Sequence, residues 1–167
     1  MVESAYDYLS TVLTTKHKRG YIQETIGSLA IEIILKSFVA KVSRNLGELD
    51  ERYEVDKSKF LGKSSDFHNL KHLAQAIPPA VRSYLLDEAD EQEIEEHQDT
   101  FKNSRYIYER TAPSWSTDEL HRLAAKLICK TIYLYKAQGC NDGFINGFDV
   151  DKLYFSVVQQ FAMVQAQ

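Results

Sequence analysis

Glu32 and Lys36 stand four residues apart inside 27–39, a segment that is otherwise almost wholly apolar. On a helix that spacing stacks the two side chains on one face, with the acid N-terminal to the base, which is the favourable order. An apolar segment is expected to be buried, and a buried charge is costly unless it is paired. The couple therefore has two readings. It lines a polar cleft and holds a ligand's polar groups, or it orders the interior as an internal ion pair.

His68 and His72 repeat the four-residue spacing, with Asp66 just ahead of them. Two imidazoles so placed suit a single metal ion. There is no His-Glu-x-x-His pattern and no evident third ligand, so no metal is expected here. A helix start carrying His68 and Lys71 could instead receive a phosphate on its free backbone donors, with plain capping as the other role. Arg105, Tyr106, Tyr108 and Arg110 mix cations with aromatic faces, a combination that stacks a base and holds a phosphate. The competing role is a loop whose tyrosines pack on the protein while Arg105 pairs with Glu32 or Glu109. The basic cluster 16–19 and the acidic run 87–99 read as solvated helix faces. Their alternative contacts are a phosphate backbone and a basic partner protein.

Other chemistries find no support. There is no nucleophile elbow, no glycine-rich phosphate loop and no cysteine beside a recognisable base, and no cofactor is expected. Cys129 and Cys140, the two cysteines, make neither a disulfide framework nor a CxxC site. A reducing, cytoplasmic setting follows as the default. A net charge of −4 argues against a surface devoted to nonspecific nucleic-acid binding, which needs a basic footprint. No targeting segment is visible at the N-terminus. The longest apolar window, 27–42, falls short of the roughly 20 residues a membrane span needs, and it carries Glu32, Lys36 and Lys41.

The elements that must position these groups read as helical. The 167 residues hold seven glycines and three prolines, which leaves long uninterrupted periodic stretches and no convincing strand. A first helix spans 3–16, with Ala5, Tyr8, Leu9 and Val12 on one stripe. A second spans 21–45, with Ile22, Ile26, Leu29, Ile33 and Ala40 in one seam and Ala30, Ile34, Phe38 and Val42 in the next. Thr25, Ser28, Glu32, Lys36 and Ser43 form a thin polar stripe opposite. A third begins near Phe67, capped by Asp66, and breaks at Pro78-Pro79. A short piece follows over 79–86, then a weakly docked acidic helix. Ser116 and Glu119 have capping-box form and open a helix to about Ala137, with Leu120, Leu123, Ala124, Leu127, Ile128, Thr131, Ile132 and Tyr135 inward. Asp149 caps a last helix over 150–164. The expected fold class is all-α: one domain, 1–167, folded as an antiparallel up-and-down four-helix bundle with short accessory helices.

Three segments, in order, resemble the HEPN family (higher eukaryotes and prokaryotes nucleotide-binding). Ala30-Ile31-Glu32-Ile33-Ile34-Leu35-Lys36 looks like its second-helix signature. Asp66-Phe67-His68-Asn69-Leu70-Lys71-His72-Leu73 is similar to its His-x-Leu-Lys element. Ser104-Arg105-Tyr106-Ile107-Tyr108-Glu109 is similar to its Arg-Tyr-x-Tyr-Glu loop. The resemblance implies a helical bundle, commonly a homodimer, with a groove for nucleotide or RNA. It also implies an association of some members with toxin–antitoxin or defence systems and with nucleotidyltransferase-type partners. Some members are metal-independent ribonucleases that carry an Arg followed, after four to six residues, by a His. No Arg–His pair in this chain has that spacing. A non-catalytic binding module is therefore expected, with Glu32, Lys36, His68, Lys71, Arg105, Tyr106 and Tyr108 as its ligand-binding residues. An unorthodox ribonuclease using His68 or His72 with Arg105, or a purely structural partner, is the alternative.

Overall fold

Helix α1, Val2–Thr14, forms because Val2, Ala5, Leu9 and Val12 recur at helical spacing, and all four are buried. Tyr8, read on the same stripe, is 41% exposed at its edge. The computed structural model describes residues 1–15, 20–46, 51–60, 66–100, 103 and 119–158. Helix α2, Gly20–Ser37, lies against α1 and against the longest helix, α6, Glu119–Ala137, while α1 also touches α6. These three helices hold the centre of the core. Leu9, Ile31, Ile34, Leu35, Leu120, Leu123 and Leu127 are among its fully buried large side chains there.

Around them stand α3, Leu70–Ala76, α4, Pro79–Leu85, and α5, Glu88–Glu96. The break between α3 and α4 falls at Pro78-Pro79 as expected, with Pro79 at the first helical position, where its missing N–H costs nothing. After α6 come α7, Gly143–Gly147, capped by Asp142, and α8, Val150–Leu153, capped by Asp149. A π turn, Tyr154–Val158, continues α8 and packs on α6. Tyr6, Phe144 and Phe148 form an aromatic knot where α1 meets α7, with Tyr6 and Phe148 edge-on at 4.8 Å.

The chain is mostly helical, with one departure from the expected all-α reading. α2 stops at Ser37, and 40–45, read as its last turns, instead forms strand β1, Ala40–Arg44. It pairs antiparallel with β2, Arg52–Val55, although the sequence showed no convincing strand. The register slips between Val42 and Arg44, a bulge that Ser43 Oγ closes by donating to Arg52 C=O at 3.1 Å. Asp56 N–H donates to Val39 C=O at 2.8 Å and ties the hairpin to the helix end. The β-branched Val39 and Val42 suit a strand as well as a helix, and only the partner strand decides between them.

The facing of α2 also differs from expectation. Ile22, Ile26, Leu29 and Ile33 are only half-buried, whereas Ala30, Ile31, Ile34 and Leu35 are fully enclosed. Ser28 and Glu32, read on the outward polar stripe, are buried with them, as is Glu24. Part of the cause is a close approach: an added Cβ at Gly27 would sit 2.9 Å from His121 Cδ2, so only glycine lets α6 lie so near there. His121 is itself buried, its Nε2 3.3 Å from Gln23 C=O.

Candidate functional site

The buried polar stripe of α2 ends in the couple that the spacing singled out. Lys36 Nζ donates to Glu32 Oε1 at 2.6 Å. The Glu32 side chain is 3% exposed and that of Lys36 16%. The same oxygen lies 3.0 Å from His68 Nδ1, across 36 residues of chain. A carboxylate only accepts, so His68 Nδ1 carries the proton of this bond. The His68 side chain is 51% exposed and carries the site to the surface.

Glu32 Oε2 is buried and accepts no hydrogen bond. One oxygen thus takes two donors while the other takes none. A buried acceptor left unmade costs about 1–3 kcal/mol, more when charged. Ser28 Oγ, one turn earlier on α2, and His72 Nδ1 are likewise buried without a hydrogen-bond partner. Glu32 and Lys36 are therefore both an internal ion pair and part of an unsatisfied polar seam, which joins the two readings that the sequence held apart.

The loop 66–69 brings His68 to α2. Asp66 Oδ1 accepts from His68 N–H at 3.0 Å, a local turn that fixes the residue before the helix starts. The helix cap is Asn69, not Asp66: Asn69 Oδ1 accepts from His72 N–H at 2.9 Å. His68 consequently lies outside α3, and the helical geometry expected for His68 and His72 does not arise. Asn69 is buried, and its side-chain amide donates to Gln98 at 3.1 Å and Asp99 at 3.3 Å, anchoring the loop to the end of α5. This anchor was missed because Asn69 reads as one more polar loop residue until α5 is seen beside it.

Lys71 pairs with Glu95 on α5, so the structure gives it a different partner from the Glu32 cluster. Arg105, Tyr106 and Tyr108 lie outside the described residues, as do Arg110, the basic cluster 16–19 and the Ser116 cap. Of the named groups, the structure brings together Glu32, Lys36 and His68.

The acidic run is not simply a solvated face. Asp87 and Asp90 form a reciprocal capping box on α5, and Asp90 is buried. Lys126 of α6 donates to Asp87 Oδ2 at 2.5 Å and to Asp90 Oδ2 at 2.6 Å. The Lys126 bond, with the Asp90 N–H behind it, pulls the Asp87 carboxyl down to about 2. Burial opposes the Lys126 charge, yet the two carboxylates outweigh it and its pKa rises. Cys129 is a buried thiol pushed up to about 12 by desolvation, which makes it unreactive. Among the described residues no helix is long and apolar enough to cross a membrane.

No family model, curated protein or solved structure matches this chain, so the functional reading rests on this geometry.

Proposed function

We propose that the chain is a non-catalytic binding module of HEPN type: an antiparallel up-and-down four-helix bundle, acting as a homodimer in a cytoplasmic toxin–antitoxin or defence system. Its groove at Glu32, Lys36 and His68 takes a nucleotide or RNA. The observation that carries this reading is Glu32 Oε2, a buried carboxylate oxygen with no donor. A nucleobase amine or a ribose hydroxyl would supply one, while the Lys36 ammonium, beside the half-exposed His68, offers donors to a phosphate. Arg105, Tyr106 and Tyr108 would complete the groove, and a nucleotidyltransferase-type protein is the partner that the resemblance suggests.

Calorimetric titration with nucleotides and short RNAs tests the reading. Saturable binding is expected, weakened at least tenfold, or about 1.4 kcal/mol, in Lys36→Ala/His68→Ala. No binding by the intact chain, or unchanged binding by that variant, refutes it.

The geometry of His68 favours one second reading. An imidazole held at Nδ1 by a buried carboxylate is oriented as a general base is. Metal-independent RNA cleavage that His68→Ala abolishes would replace the non-catalytic reading with this one.

A further inference from the structure

Away from the Glu32 cluster, three further side chains converge between α5 and α6. Glu93 and His97 are four residues apart at the end of α5, where His97 N–H donates to Glu93 C=O at 3.1 Å and closes the last turn. That spacing puts both side chains on one face. Glu119 opens α6 opposite them. One ligand atom from each of the three lies within 4.8 Å of the other two.

The distances fit a small cation. In a tetrahedral zinc site with bonds near 2.1 Å, ligand atoms stand roughly 3.4 Å apart. Glu93 Oε1 and His97 Nε2 are 3.4 Å apart already. Glu93 Oε1 is buried and accepts no hydrogen bond, although its side chain is only 11% exposed. His97 is oriented from behind, with Nδ1 3.3 Å from Thr100 Oγ1, which leaves Nε2 facing Glu93. A metal-bound imidazole ordinarily has such a partner on its other nitrogen.

We propose that Glu93, His97 and Glu119 bind one Zn2+ ion per chain, with water in the fourth position, and that the ion clamps the end of α5 to the start of α6. Imidazole and carboxylate ligands suit Zn2+ among the divalent ions. The electrostatics agree. Burial first, and then the neighbouring Glu119 charge, push the Glu93 carboxyl up to about 7, with Arg122 opposing them. Arg122 offsets the mutual repulsion of the two carboxylates only in part, and a divalent ion would supply the rest.

The test titrates the metal-stripped full chain with Zn2+ by calorimetry, and with Co2+ by visible absorption. The expected result is one equivalent of Zn2+ bound, the intense bands of four-coordinate Co2+, and a raised melting temperature. Glu93→Gln, which keeps shape, and His97→Ala should each weaken binding at least about tenfold. Should His97→Ala fail to fold, Glu119→Gln takes its place. A His68→Ala/His72→Ala variant should bind as the intact chain does. The proposal is overturned if the intact chain takes up no Zn2+, if Glu93→Gln binds it undiminished, or if only the His68/His72 variant loses it.

Discussion

Glu32 shows how one buried residue sets the terms for its neighbours. It is 3% exposed, and both of its donors meet the same oxygen. Removing one partner of a buried pair leaves an uncompensated charge, whereas replacing both with apolar groups of similar volume is often neutral. Lys36→Met should therefore cost about 3 kcal/mol in urea unfolding, while Glu32→Leu/Lys36→Met should lie within about 1 kcal/mol of the parent. A single variant as stable as the parent would show that His68 alone satisfies the carboxylate. The double variant should also lose any ligand, which separates the site's binding role from its structural one. The spacing of Glu32 and Lys36 was legible in the sequence because an i, i+4 pair needs only a helix. The arrival of His68 was expected only through the family resemblance, because 36 residues of chain and a hairpin lie between them. Local pattern carries no information about such a closure.

At the scale of elements, caps and proline breaks were legible where a short-range signal fixes them, and facing was not. Asp149 caps α8 through the Lys152 N–H and Pro78-Pro79 separates α3 from α4, both as expected, whereas the short α7 that Asp142 caps was not foreseen. The orientation of α2 escaped because apolar residues occupy most of its circumference, so no single arc was marked as inward. α5 escaped for the opposite reason: eight acids between 87 and 99 hide the one aspartate that is buried. Lys126 holds the start of α5, which gives a dependence on pH. The folded Asp87 pKa, about 2, lies below its ordinary 3.8. A depressed carboxylate contributes stability above the ordinary value and loses it as pH falls through the folded one. Melting temperature should thus fall as pH drops from about 4 to about 2, and less steeply in Lys126→Met. At neutral pH that variant should already be destabilised by about 3 kcal/mol, since Asp90 is left buried without its cation. Parallel acid limbs for parent and variant would show that Lys126 does not hold α5.

The whole molecule depends on α6, which touches α1, α2, α4, α5, α7, α8 and the π turn. Its inward residues were legible because the set repeats cleanly over about three and a half turns: Leu120, Leu123, Ala124, Leu127, Ile128, Thr131 and Ile132 are all buried. Leu29 on α2 was read as equally central, yet it is only half-buried. This difference sets an order of severity. An ionised aspartate at Leu127, which is fully enclosed, has neither water nor a cation to meet it, and the cost exceeds about 4 kcal/mol. That is most of the stability of a marginal domain, so Leu127→Asp should abolish cooperative thermal unfolding. At Leu29 the same carboxylate reaches solvent along the open side of α2, and Leu29→Asp should keep a cooperative transition at a lower temperature. If the two variants melt alike, the rotation of α2 that buries Ser28 and Glu32 is wrong. The polar seam on which the proposed binding site rests would then face outward, where its unmade hydrogen bonds would be satisfied by water.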